Sequence, residues 1–91
     1  MQKFIIERHI PGAGDLTAED LRGIAQKSNE VVAGLGEPYV WHESFAAGDK
    51  VYCVHSAESA DVIYEHARRG GFPADAVTPV GSSFGPDTAR A

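Results

Sequence analysis

The chain has 91 residues, a hydrophobic fraction of 43% and a net charge of −5 at pH 7, a composition typical of one small globular domain. The negative charge argues against nucleic-acid binding, which needs a clustered basic face, and the single cysteine excludes an internal disulfide. No apolar run approaches the ~18–20 residues of a membrane span, and no signal-peptide h-region precedes Lys3. We therefore expect a cytoplasmic protein.

The first third of the chain predicts a strand followed by an amphipathic helix. Alternation over Lys3–Ile10 indicates the strand. Thr17 is a favourable helix N-cap, and Asp20 stands three residues later, where it can complete a capping box. Apolar or small residues then follow the 3, 4, 7 spacing of one buried stripe: Leu21, Ile24, Ala25, Ser28, Val31, Val32 and Leu35.

The rest of the chain predicts a hairpin, a second helix and a last strand. The hairpin pairs Tyr39–Phe45 with Val51–Ser56 across a turn at Gly48-Asp49. The helix runs from Ser59 to Arg69, with Ala60, Ile63 and Ala67 as its core stripe. The last strand, residues 76–80, contains Pro79 and therefore belongs at a sheet edge.

The βαββαβ order predicts an α+β, ferredoxin-like domain over residues 1–80, with a flexible tail over residues 81–91. Two helices can cover only one face of its four-stranded antiparallel sheet. Alternation suggests that Phe4, Ile6, Trp41, Phe45, Tyr52 and Val54 face the helices. Arg8 and Glu43 would share that side, which we expect to be tolerated only at strand ends. The open face should then mediate a homodimer.

Candidate metal ligands gather on the predicted open face. Alternation places Glu7, His9, His42, Cys53 and His55 there. With Gly48-Asp49 as the hairpin tip, Ala47 pairs with Lys50 and Ser44 with Cys53, and His42 lies directly across from His55. Their Cβ atoms would then be ~4.5–5.5 Å apart. Imidazole and carboxylate groups favour nickel, zinc or copper, so we predict a divalent-metal site near the dimer interface.

Cys53 and one further candidate, His66, have other interpretations as well. Cys53 suits a small buried hydrophobic residue better than a thiolate ligand, since no neighbouring cation is evident in the sequence. His66 lies beside the core stripe of the second helix, and a structural hydrogen bond is an alternative to metal ligation there. The candidate ligands are His42, His55, His9, Glu7, Cys53 and His66.

Four stretches along the chain form a distinctive combination: residues 6–12 (IERHIPG), Trp41 with Ser44, residues 49–54 (DKVYCV) and residues 65–73 (EHARRGGFP). Together they resemble a family of small bacterial nickel-binding proteins. The resemblance implies a ferredoxin-like dimer that holds divalent nickel for storage or sequestration.

Two other classes of function stay open. Ferredoxin-like dimers commonly enclose a pocket, so a cofactor-independent oxygenase or another small-molecule enzyme is one alternative, by analogy of fold. Such an enzyme would need His and Tyr or Asp converging on a roomy apolar cavity. A ligand-free structural dimer is the other. No catalytic residue is assigned, and we favour a binding protein over an enzyme, with no nucleic-acid or membrane partner.

Overall fold

A four-stranded sheet forms one layer of the protein, and two helices form the other. The computed structural model describes residues 1–90. Its strands are β1 (Gln2–His9), β2 (Tyr39–Ala47), β3 (Lys50–Ala57) and β4 (Ala76–Pro79), and its helices are α1 (Ala18–Gly34) and α2 (Ala60–Gly70). The strands pair antiparallel in the order β2-β3-β1-β4. The predicted ferredoxin-like α+β arrangement is confirmed.

Helix α1 begins as its capping chemistry predicts. The Asp20 backbone N–H donates to Thr17 Oγ1 at 3.1 Å, and the Thr17 N–H donates to Asp20 Oδ2 at 3.0 Å. The apolar stripe is only partly buried, however. Its second half packs into the protein, whereas Leu21 and Ile24 remain 43% and 37% exposed. The first half of α1 therefore does not close onto the sheet.

The side chains are distributed between the two faces of the sheet differently from the prediction. Paired residues share a face, and Phe4 pairs with His55 while Ile6 pairs with Cys53. The inner face, which the helices cover, therefore carries Phe4, Ile6, Arg8, Cys53 and His55. The outer face, which they leave open, carries Ile5, Glu7, Phe45, Tyr52 and Val54.

The predicted placement of Phe45, Tyr52 and Val54 against the helices, and of Cys53 and His55 on the open face, is wrong. Alternation groups side chains into two sets but does not say which set faces the helices. Hydrophobicity failed to decide because both sets of β3 contain apolar residues. Glu43 also lies on the outer face, since it pairs with Val54.

The centre of the core combines aliphatic side chains with imidazoles. Ile6 and Ile63 are fully buried, and His55 and His66 are each only 1% exposed. Helix α2 supplies Ile63 and His66 from neighbouring turns of one buried side. Gly71 ends α2 in the left-handed conformation, with φ of 71°, and turns the chain toward β4. The core therefore contains polar rings that need partners inside the protein.

The chain leaves the two layers after its last strand. Strand β4 occupies the edge of the sheet, as Pro79 predicted. Residues 86–90 form a short, exposed 3-10 helix. Ala91, the last residue of the predicted flexible tail, lies outside the described residues. Within residues 1–90, none of the helices combines the length and hydrophobicity that crossing a membrane requires.

Truncating Ile63 should destabilise the protein strongly. Ile63 is 0% exposed and belongs to the core cluster, so Ile63→Ala leaves a cavity and should lower the free energy of unfolding by about 2–5 kcal/mol. Tyr64, the next residue of α2, is 48% exposed, and Tyr64→Ala should change it by less than about 0.5 kcal/mol. Urea unfolding of both variants measures the difference, and equal losses would contradict this account of the core.

Candidate functional site

The sheet divides the six candidate metal ligands into two groups. Glu7, His9 and His42 lie on the outer side. Cys53, His55 and His66 lie on the inner side, where all three border one cavity. Within residues 1–90, no three His, Cys, Asp or Glu side chains are grouped closely enough to hold a metal ion. The prediction of one shared face is wrong.

A β-bulge in β2 explains why His42 and His55 do not face each other. The hairpin starts in the predicted register, with Ala47 paired to Lys50 and Ser44 to Cys53. The register then shifts, because Trp41 pairs with His55 and Glu43 pairs with Val54. His42 is the extra residue between them. A bulge re-aims the side chain it inserts, and here His42 reaches the outer face.

On the outer face, His42 is oriented by a neighbour on β3. Its Nε2 lies 2.7 Å from Ser56 Oγ, and its ring borders a groove of about 500 Å³ together with Ile5, Glu43 and Val54. Residues 82–84 of the C-terminal segment border the same groove. The imidazole is exposed and keeps Nδ1 free of any hydrogen bond to residues 1–90.

The other two outer candidates lie at the opposite end of the sheet. His9 pairs with Lys50, and Glu7 forms an ion pair with Lys50 at 3.2 Å. Lys50 is six residues along β3 from Ser56, which is roughly 20 Å at ~3.3 Å per residue. Within one protomer, therefore, Glu7 and His9 do not share an ion with His42.

The inner candidates surround a cavity of about 560 Å³ between α1 and the inner face. This cavity is why Leu21 and Ile24 of α1 are exposed, since both line it instead of contacting the sheet. The wall is mostly apolar and includes the following side chains: Leu21, Ile24, Ala25, Trp41, Val51 and Phe72. Its polar part consists of Arg8, Ser28, Ser44, Cys53, His55 and His66.

The two inner imidazoles belong to a packed aromatic cluster. Their ring centroids are 5.2 Å apart, and the His66 ring stacks between Tyr39 at 5.1 Å and Phe72 at 5.6 Å. His55 Nδ1 hydrogen-bonds to the Tyr39 hydroxyl, and His66 Nε2 lies 3.0 Å from Ser28 Oγ. The latter contact is a structural hydrogen bond, which is the alternative to metal ligation at His66.

Burial keeps both inner imidazoles neutral at pH 7. Loss of solvation, aided by the nearby His66, Arg8 and His42, lowers the pKa of His55 to about 3. Loss of solvation and the Arg8 charge lower the pKa of His66 to about 4. Burial also raises the pKa of the Tyr39 hydroxyl, which stays protonated and can donate to His55.

Arg8 is a buried cation that the sequence did not predict as part of a site. It lies on the helix side, as alternation indicated, but it is only 4% exposed. Its Nε donates to Cys53 Sγ at 3.4 Å, and Nη1 donates to the Pro73 carbonyl at 2.6 Å. Cys53 therefore does have a cationic neighbour, contrary to expectation. The same charge opposes a divalent cation among Cys53, His55 and His66.

Cys53 is held in place by further hydrogen bonds. Ser44 Oγ donates to Cys53 Sγ at 3.0 Å, and Trp41 Nε1 donates to Ser44 Oγ at 2.9 Å. The thiol is 5% exposed and belongs to the core cluster, in keeping with its interpretation as a packing residue. These hydrogen bonds join β2 to β3 beside the cavity.

Comparisons with known proteins give a family whose description names nickel and a solved structure with the same fold. Residues 4–80 match the family described as nickel responsive protein SCO4226-like. The crystal structure of SCO4226 from Streptomyces coelicolor A3(2) aligns with a TM-score of 0.75 and 21% sequence identity, covering 90% of this chain and 99% of that one. No curated protein matches the chain.

The buried histidines should make stability depend on pH. An unfolded histidine titrates near ~6.5, whereas the folded pKa is about 3 for His55 and about 4 for His66. Between these values the unfolded state binds more protons, so the free energy of unfolding should fall as the pH drops below about 6.5. Urea unfolding across that range should show a smaller fall for His66→Gln. An unchanged pH dependence in this variant would contradict the assignment.

Proposed function

We propose that this protein, which belongs to the nickel-responsive SCO4226-like family, binds nickel and stores or sequesters it. The observation that carries the proposal is the family match over residues 4–80, because the description of that family names nickel. Zinc or copper would suit the same ligand types, since affinity order alone does not select nickel.

His42 is the outer-face residue best suited to begin a nickel site. Its ring is exposed, and the hydrogen bond between Nε2 and Ser56 Oγ orients it while Nδ1 stays available. Hydrogen bonds of this kind commonly set the direction of a metal-binding imidazole. Glu43 follows directly in the chain and borders the same groove, so a carboxylate is close at hand.

A second copy of the chain would supply the remaining ligands. One protomer groups no three suitable side chains within residues 1–90, and the inner alternative lies beside the Arg8 charge. The outer face is also apolar enough to form an interface, with Val40 39% exposed, Phe45 53% and Tyr52 36%. We therefore propose a homodimer through this face, with an expected interface of ~1,600 Å² or more in total.

Replacing His42 should weaken nickel binding. His42→Ala removes the proposed ligand and should cost at least ~10–100-fold in affinity, the usual effect of losing a group that merely orients a ligand. His66→Ala should lower stability but leave nickel affinity unchanged, because His66 lies on the other side of the sheet. Calorimetric titration of nickel into protein without a polyhistidine tag makes the comparison.

Cys53→Ser is the matched control for an inner ligand, and it should keep nickel affinity within a few-fold of the wild type. Loss of binding in His66→Ala or Cys53→Ser, with His42→Ala unaffected, would place the site inside the protein. Absence of nickel binding by the wild-type protein would favour the ligand-free structural dimer instead.

A charge in the outer face should break the proposed dimer. Phe45→Asp places a carboxylate on an apolar patch, where burial against a second copy would cost several kcal/mol. Sedimentation at micromolar concentration should report a dimer for the wild type and a monomer for this variant. Tyr64→Asp, on the exposed side of α2, should remain dimeric. A monomeric wild type would refute this part of the proposal.

A further inference from the structure

The inner cavity has the size and lining of a small-molecule site. Ligand pockets in proteins typically enclose ~300–1,000 Å³ and combine apolar walls with a few polar groups, and this cavity measures about 560 Å³. The wall opposite the sheet is the first half of α1, where Leu21 and Ile24 present apolar side chains that no part of the protein covers.

The cavity wall contains a positive charge without a negative partner. Arg8 is 4% exposed, and its two hydrogen bonds go to a thiol and to a backbone carbonyl. It forms no ion pair with any carboxylate within residues 1–90, although Glu7 and Glu65 each pair with other basic residues. A buried guanidinium normally has an anionic partner, because removing a charge from water is costly.

A second polar group of the wall also lacks a partner. His66 is 1% exposed, and its Nδ1 is the one buried side-chain nitrogen or oxygen without a hydrogen bond in the part of the chain that the structure describes. Buried polar groups are usually satisfied, so this unpaired nitrogen is an exception beside the cavity, although the atom itself is fully enclosed. Arg8 and His66 are close enough to share Phe72, whose ring lies 5.5 Å from the guanidinium carbon and stacks on the imidazole.

We propose that this cavity binds a small apolar monocarboxylate, with its carboxylate held by Arg8 and its apolar body against α1 and Trp41. A carboxylate supplies the missing negative charge and matches the fork of guanidinium N–H groups. A metal cation is disfavoured by the Arg8 charge, and a neutral apolar molecule would leave that charge without an anionic partner.

The proposal is independent of nickel binding, because the two sites lie on opposite sides of the sheet. Its test uses Trp41, the chain's single tryptophan, which lines the cavity and reports occupancy by its fluorescence. Decanoate and decan-1-ol have the same apolar chain and differ in charge. Decanoate should bind the wild-type protein at least ~10-fold more tightly, as expected for a hydrogen-bonded charge pair.

Variants then locate the carboxylate and the apolar body. Arg8→Met removes the charge at similar length, so decanoate affinity should fall at least ~10-fold while decan-1-ol affinity changes little. Ala25→Phe fills the cavity from α1 and should weaken both ligands. His42→Ala should affect neither, since it lies on the outer face.

The wild-type comparison decides the matter even if Arg8→Met does not fold. Equal affinity for the two ligands, or no binding of decanoate by fluorescence and calorimetry, would overturn the proposal. An Arg8→Met variant that folds and binds decanoate as the wild type does would also overturn it. Retained preference for decanoate in Arg8→Lys, which keeps the charge, would support it.

Discussion

The buried guanidinium of Arg8 joins strand β1 to β3 and to the segment that follows α2, and it constrains how the helix layer can close over the sheet. It reaches Cys53 on β3, the Pro73 carbonyl after α2 and the ring of Phe72, which in turn stacks on His66. A buried charge needs hydrogen-bond partners in the protein, and any N–H group left without one needs access to other polar groups. Closing α1 onto the sheet with apolar side chains would remove that access. The open cavity and the half-exposed apolar stripe of α1 are therefore both consistent with the need to keep the Arg8 guanidinium accessible to polar groups.

The sheet separates two chemically different environments. On the inner side, burial and the Arg8 charge lower the pKa values of His55 and His66, so both rings are neutral and suited to packing and hydrogen bonding. That environment attracts anions and repels metal ions. On the outer side, His42 is exposed to solvent and stands beside a carboxylate. The same residue type thus occupies two different environments, and position relative to the sheet decides which one a histidine experiences.

Local chemistry explains which features were predictable from the sequence. The Thr17–Asp20 capping box, the Gly48-Asp49 turn and the edge position of Pro79 each depend on a few adjacent residues, and each is confirmed. The site was less predictable because two nonlocal features decide it. The bulge at His42 carries no glycine signal, and one inserted residue reverses which face each side chain reaches. Which face of β3 the helices cover depends on the fit of whole layers, and both faces contain apolar residues.

A metal site is harder to predict from sequence than a fold, and the reason is physical. A ferredoxin-like backbone tolerates wide variation in sequence. This chain and SCO4226 share 21% sequence identity, yet their structures align with a TM-score of 0.75. Metal binding instead requires several donor atoms within about 2 Å of one point, a condition that one substitution can abolish. Residues 1–90 of a single protomer do not meet it. If exposed donors on an apolar sheet face bound an ion, ligands from a second copy of the chain would complete its coordination sphere across an interface. In the proposed dimer, nickel binding and dimerisation would stabilise each other, because each protomer would present only part of the coordination sphere.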